Sequence, residues 1–182
     1  MPVVRAELIE RVRRGERVEY LFFWGHRPEP DGSAGRGCLS QWWPARFTVD
    51  GREFATAEHY MMWRKALLFG DSAVAEEVLR APHPGRAKEL GRQVAGFDPA
   101  RWEASRYDIV VAGSVAKFGQ NPDLGRFLVG TGPRVLVEAS PVDAIWGIGA
   151  AADDPRAGDP ERWPGLNLLG FALMDARAQL RG

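Results

Sequence analysis

Cysteine, lysine and net charge are all scarce in this chain, and each scarcity closes off a class of function. A single cysteine, Cys38, among 182 residues leaves no partner for an intramolecular disulfide and no multi-cysteine cage for a metal, which fits a reducing compartment. The 24 basic residues are matched by 24 acidic ones, so no overall field draws the chain onto nucleic acid or anionic lipid, and any phosphate must be held locally. Lys65, Lys88 and Lys117 are the only lysines; the rest of the positive charge is arginine. Nowhere do the roughly 18 apolar residues of a membrane span follow one another. The opening MPVVRAELIERVRR lacks the apolar centre of a secretion signal. The expectation is a cytoplasmic protein with no membrane partner and no evident protein partner.

Chemical motifs are also missing. His26, His59 and Cys38 have no spacing that suits zinc and no fourth ligand, so neither a metal nor any other cofactor is expected. No Gly-x-Ser-x-Gly elbow is present for a serine nucleophile, and the glycines near Trp146 are not followed by the lysine of a phosphate loop.

What is present is an ordinary apolar share of 45% and aromatics at 10%, enough to bury a core in one domain over residues 1–182. Leu8, Ile9 and Val12 fall at helical spacing over Arg5 to Arg14, and Val18 to Trp24 is β-branched and aromatic like a strand. Residues 27–37 read as a loop. Ala45 to Phe54 reads as a hairpin around Asp50-Gly51. Thr56 is a good cap for a helix over Ala57 to Phe69, Asp71 for one stopping before Pro82, and a third short helix covers Gly85 to Val94. Asp98-Pro99 starts a helix to Phe118, Asn121-Pro122 another to Gly130, and Arg134 to Glu138 forms a strand. Residues 147–165 show no apolar period and read as an unstructured connection, a candidate lid. Leu166 to Leu180 closes the chain as an amphipathic helix. The fold class is α+β, mostly helical, with a small β-sheet or hairpin.

Among the carboxylates Glu58 is the most informative, because the Thr56 cap puts it in the first turn of a helix. There the dipole favours its ionised form by about 0.3–1 kcal/mol. Either Glu58 simply satisfies that dipole, or it serves a ligand with Lys65, which lies on the same face two turns, roughly 10 Å, away. Lys88 and Arg92 are four apart on the third short helix, a like-charge pair that an anion would relieve, although Glu89 could neutralise part of the field. Six tryptophans gather near these elements, Trp102 among them. Trp24, leading into Gly25 and His26, and Trp146, leading into Gly147, precede glycines that allow a planar base to approach the backbone and stack. Asp143 follows a predicted strand, a placement that suits either catalysis or a turn cap.

FFWGH at Phe22 to His26, CLSQWWP at Cys38 to Pro44, TAEHYMMWRKA at Thr56 to Ala66, DAIWGIG from Asp143 and NLLGFALMDAR from Asn167 together resemble the YbiA-like family, also called the NADAR domain. The likeness spans nearly the whole chain and implies a YbiA-like fold with metal-independent N-glycosidase chemistry. Two substrates are implied: reactive phosphorylated ribosylated pyrimidines of riboflavin synthesis, releasing ribose 5-phosphate, or ADP-ribose attached to guanine in nucleotides or nucleic acid. The family pattern places the essential glutamate at Glu58 and puts Asp143, Trp146 and Gly147 in the site. Lys88, Arg92 and Asn167 fall in family-like motifs with less defined roles. Loops 27–37 and 150–164 are longer than in the family's bacterial enzyme and flank the expected pocket. A non-catalytic binder of NAD or ADP-ribose is the alternative outside enzymology.

Overall fold

The computed structural model describes residues 3–182, with side chains from Arg5 onward. Helix α1 (Val3–Arg13) leads to strand β1 (Tyr20–Phe23), a short 3-10 turn at Gly35–Leu39, and the hairpin β2 (Phe47–Val49) and β3 (Arg52–Phe54). Five helices follow: α2 (Ala57–Leu68), α3 (Ser72–Leu79), α4 (Pro84–Arg92), α5 (Pro99–Gln120) and α6 (Pro122–Gly130). Strand β4 (Val135–Glu138), the connection over residues 139–167 and helix α7 (Leu168–Arg181) complete the fold.

Local chemistry explains most of these boundaries. Asp50 and Gly51 both take positive φ (51° and 72°), the backbone of a two-residue turn whose twist matches that of paired strands. The Thr56 hydroxyl accepts the His59 N–H at the start of α2, Asp71 accepts from Val74 at the start of α3, and Asp98 accepts from Ala100 and Arg101 ahead of Pro99 in α5. Each cap satisfies donors that the first helical turn cannot pair internally. Two helix starts depart from expectation. Helix α4 begins at Pro84 because the His83 ring accepts the Arg86 N–H at 3.1 Å. Asn121 leaves α6 without a side-chain cap; its amide instead donates to the carbonyls of Arg46 (3.0 Å) and Lys117 (2.8 Å), tying the end of α5 to the approach to the hairpin.

The sheet is two separate pairs, the β2–β3 hairpin and a parallel pair in which β1 runs beside β4 from Tyr20 opposite Val135 to Phe23 opposite Glu138. The pair has two apolar faces. Leu21, Phe23 and Leu136 join the main core with α2, α5 and α7, whereas Val135, Val137 and Ala139 join a second cluster with Leu8, Ile148, Trp163 and Phe171. Alternation along an extended strand produces this division.

The connection read as unstructured is packed. Ile148, Ala150, Ala157 and Trp163 are buried in the second cluster, and the Trp163 indole N–H donates to the Ala157 carbonyl at 2.8 Å. The Arg5 guanidinium fastens the segment by donating to the carbonyls of Pro160 (3.0 Å), Trp163 (2.8 Å) and Gly165 (3.0 Å). Its polar sequence concealed this arrangement because the anchoring residues are few, and the arginine that holds them lies more than 150 residues away in the chain.

Candidate active site

Four segments converge beyond the carboxyl ends of the parallel pair: the run after β1, the end of β4 with the loop beyond it, the start of α2 and the second half of α4. Ligands commonly bind beyond the carboxyl ends of parallel strands. Trp24 follows Phe23 directly, and the Phe23 carbonyl accepts the Ala139 N–H at 2.9 Å, so the WGH run lies beside the end of β4.

Glu58 is 4% exposed, and its Oε1 has no hydrogen-bond partner among the described residues. Its main chain is fixed, since its N–H donates to the Gln41 carbonyl at 3.0 Å. Burial pushes its pKa up to about 7; Lys88 opposes that shift, as do the Trp42 side chain and Arg92, while Asp143 adds to it. The expectation of a permanently ionised Glu58 is thus corrected, because desolvation outweighs the 0.3–1 kcal/mol that a helix terminus supplies. The carboxyl is neither turned into solvent nor locked in an ion pair.

A second carboxyl stands nearby, on a residue whose sequence context marks it only as the last of a strand. Glu138 ends β4, its Oε2 is buried without a partner among the described residues, and its pKa is pushed up to about 8 by burial, then by Asp143 and Glu58, against the pull of Lys88. Its backbone is held from several directions. The N–H donates to Asn167 Oδ1 at 2.9 Å, the carbonyl accepts from Ile148 at 2.9 Å, and a Cβ placed on Gly147 would lie 2.8 Å from that carbonyl.

Asn167, expected to bind substrate, is fully buried and sits in the left-handed region at φ 54°. Its amide bridges the Glu138 N–H and the Leu136 carbonyl (2.9 Å each), so it holds the end of β4 in place. Asp143 is half-buried; its Oδ1 accepts the N–H groups of Ile145 and Trp146, both at 2.8 Å, which sets the turn carrying Trp146 and Gly147. Its charge nevertheless reaches both glutamates.

The basic residues face the same cluster. Glu89 pairs with Arg86 at 3.2 Å, so Lys88 and Arg92 act on the carboxyls of the cluster instead. Lys65 feels both Arg92 and Glu58, and burial lowers its pKa; its Nζ lies over the rings of Phe97 (4.4 Å) and Trp102 (5.5 Å). Among the aromatics, Trp24 is 60% exposed, with a face free to stack, whereas Trp146 packs partly against the main core. His26 approaches Trp42, ring centroids 5.9 Å apart, and Trp42 in turn stands beside Glu58. The structure therefore groups Trp24, Gly25, His26, Glu58, Lys88, Arg92, Asp143 and Gly147, adds Trp42 and Glu138, and places Lys65 with Trp102 on the adjoining flank. Two clefts, of about 700 and 670 Å³, open elsewhere, one against Trp43 and Phe127 and the other against Tyr60 and Asp108. Neither lining includes Glu58 or Glu138, the two buried carboxyls with an unpartnered oxygen among the described residues, and those glutamates mark the candidate site.

A profile of the NADAR domain matches residues 22–181. The chain belongs to the NADAR family. This NADAR chain is 43% identical over 169 residues to N-glycosidase R617 of Acanthamoeba polyphaga mimivirus, covering 90% of this chain and 98% of the relative. It is 33% identical over 138 residues to N-glycosidase YbiA of Escherichia coli, covering 76% of each. The NMR structure of E. coli YbiA superposes over 100% of this chain and 94% of that one, with a TM-score of 0.66 and 27% identity. The α+β NADAR fold is thereby shown, and with it the enzyme class: an N-glycosidase, a hydrolase, rather than a passive binder. No described helix is long and apolar enough to cross a membrane.

Proposed function

We propose that this N-glycosidase cleaves the bond between ribose C1′ and a base nitrogen in phosphorylated, ribosylated pyrimidines of the kind formed in riboflavin synthesis, releasing ribose 5-phosphate. The observation that carries the reading is the buried Glu58 carboxyl, whose Oε1 has no hydrogen-bond partner among the described residues, within the field of Lys88 and Arg92. As the base departs, positive charge builds on the sugar, and a fixed carboxylate in a dry site stabilises it more than water could. Glu58 takes that role and then accepts a proton from the attacking water, a task suited to a group that titrates near neutrality. Lys88 and Arg92 hold the phosphate, with Lys65 behind them. Trp24 stacks on the base, and Gly25, where a side chain would meet nothing within 4 Å, lets it approach the main chain. Asp143 keeps the Trp146–Gly147 turn in place and lends its charge to the cluster.

The test is incubation of the pure protein with phosphoribosylated aminopyrimidines and, in parallel, with ADP-ribosylated guanosine, followed by mass spectrometry of the released base. Release from the pyrimidines, lost in Glu58→Gln, is the expected result. Release from the guanosine substrate alone moves the assignment to ADP-ribose removal, and an active Glu58→Gln variant removes the catalytic assignment.

A further inference from the structure

Glu138 has no part in the steps above, yet it is built into the site more rigidly than Glu58. Strand pairing with β1, the Asn167 amide and the Ile148 N–H restrain its backbone, and Gly147 leaves no space behind its carbonyl. A buried carboxyl oxygen with no partner among the described residues, carried on a backbone held this firmly, is costly to keep for packing alone. Its neighbours account for its state. Asp143 and Glu58 repel a second negative charge there, and Lys88 partly offsets them.

We propose that Glu138 is the general acid of the reaction, donating a proton to the base nitrogen as the glycosidic bond breaks. This rests on the glycosidase reading and divides the work between two carboxyls. When the C1′–N bond breaks, its electron pair stays on nitrogen, which takes the Glu138 proton. Water then adds through its oxygen to C1′ and gives its proton to the Glu58 carboxylate. Transfer of that proton back to Glu138 restores both groups, so each turnover consumes one water and yields free base and free sugar. Two like carboxyls brought together separate their affinities for protons, which is how one side of a site keeps an acid while the other keeps a base. Asn167 is the positioning residue that orients the acid from behind.

The experiment uses a series of 5-phosphoribosylated bases of graded leaving-group acidity, ending in a pyridinium, which departs neutral and needs no proton. For Glu138→Gln, kcat is expected to fall about 10²–10⁴-fold on the most basic leaving groups and less than about tenfold on the pyridinium, with the fold intact by circular dichroism. Equal losses across the series, or none, overturn the proposal. The wild-type enzyme supplies a second measurement that needs no variant. Its kcat should decline on the alkaline side for basic leaving groups and not for the pyridinium; the same alkaline limb on both overturns the assignment. If the wild type frees no base from any member, the glycosidase reading fails with it.

Discussion

Replacing Glu58 with glutamine should inactivate the enzyme and at the same time stabilise it, by an amount that depends on pH. In the folded protein the Glu58 pKa is raised from its ordinary 4.5 to about 7, so the native state resists its ionisation and the unfolded chain does not. A carboxyl raised in this way supports the fold fully below pH 4.5, and that support is withdrawn as pH climbs towards 7. Glutamine mimics the protonated acid and keeps the support at every pH. With 1.36 kcal/mol for each tenfold change in proton affinity, the gain for Glu58→Gln grows from about 1 kcal/mol at pH 5 to about 3 kcal/mol at pH 7, and stays level above that. For a chain of this size each kcal/mol moves Tm by roughly 2–4 °C, so the variant should melt about 6–12 °C higher at pH 8 and almost together with the wild type near pH 4.5. Thermal unfolding followed by circular dichroism from pH 4.5 to 8.5 measures this directly. A variant less stable than the wild type at all pH values, or a difference that ignores pH, would refute the claim that burial controls this carboxyl.

Changing Lys88 and Arg92 together to glutamine should raise KM for phosphorylated substrates by tenfold or more with kcat changed little, and steady-state kinetics with and without the 5-phosphate should show the defect only on the phosphorylated form. Gly147→Ala should destabilise the protein by about 1–3 kcal/mol, read by urea titration. The added methyl would meet the carbonyls of Glu138 (2.8 Å) and Asp143 (2.9 Å), backbone groups that cannot swing aside.

Much of the architecture was legible because short-range chemistry specifies it. Asp50-Gly51 marked the hairpin, Thr56, Asp71 and Asp98 marked three helix starts, and the position of Glu58 followed from its cap. The proton affinity of Glu58 was not legible: the dipole argument considered only its own helix, while the burial that prevails over it is a product of the whole fold. Glu138 escaped notice for a related reason. An acid at the end of RVLVE reads as a strand giving way to solvent, and only pairing with β1, more than a hundred residues earlier, turns it inward. The sole available signal was a carboxylate closing an otherwise apolar run of strand. Asn167 was seen as part of a motif, but its left-handed backbone and its grip on β4 belong to tertiary structure.

Because neighbouring residues of β4 look in opposite directions, sliding that strand by a single residue would exchange the surroundings of Glu138 and Ala139. The acid would then be driven in among Val137's apolar neighbours, Trp163 and Phe171, and away from Lys88, the cation that offsets its charge in the correct register. A misaligned chain therefore penalises itself at the very residue on which chemistry would depend, and correct pairing of a four-residue strand is proofread by one glutamate.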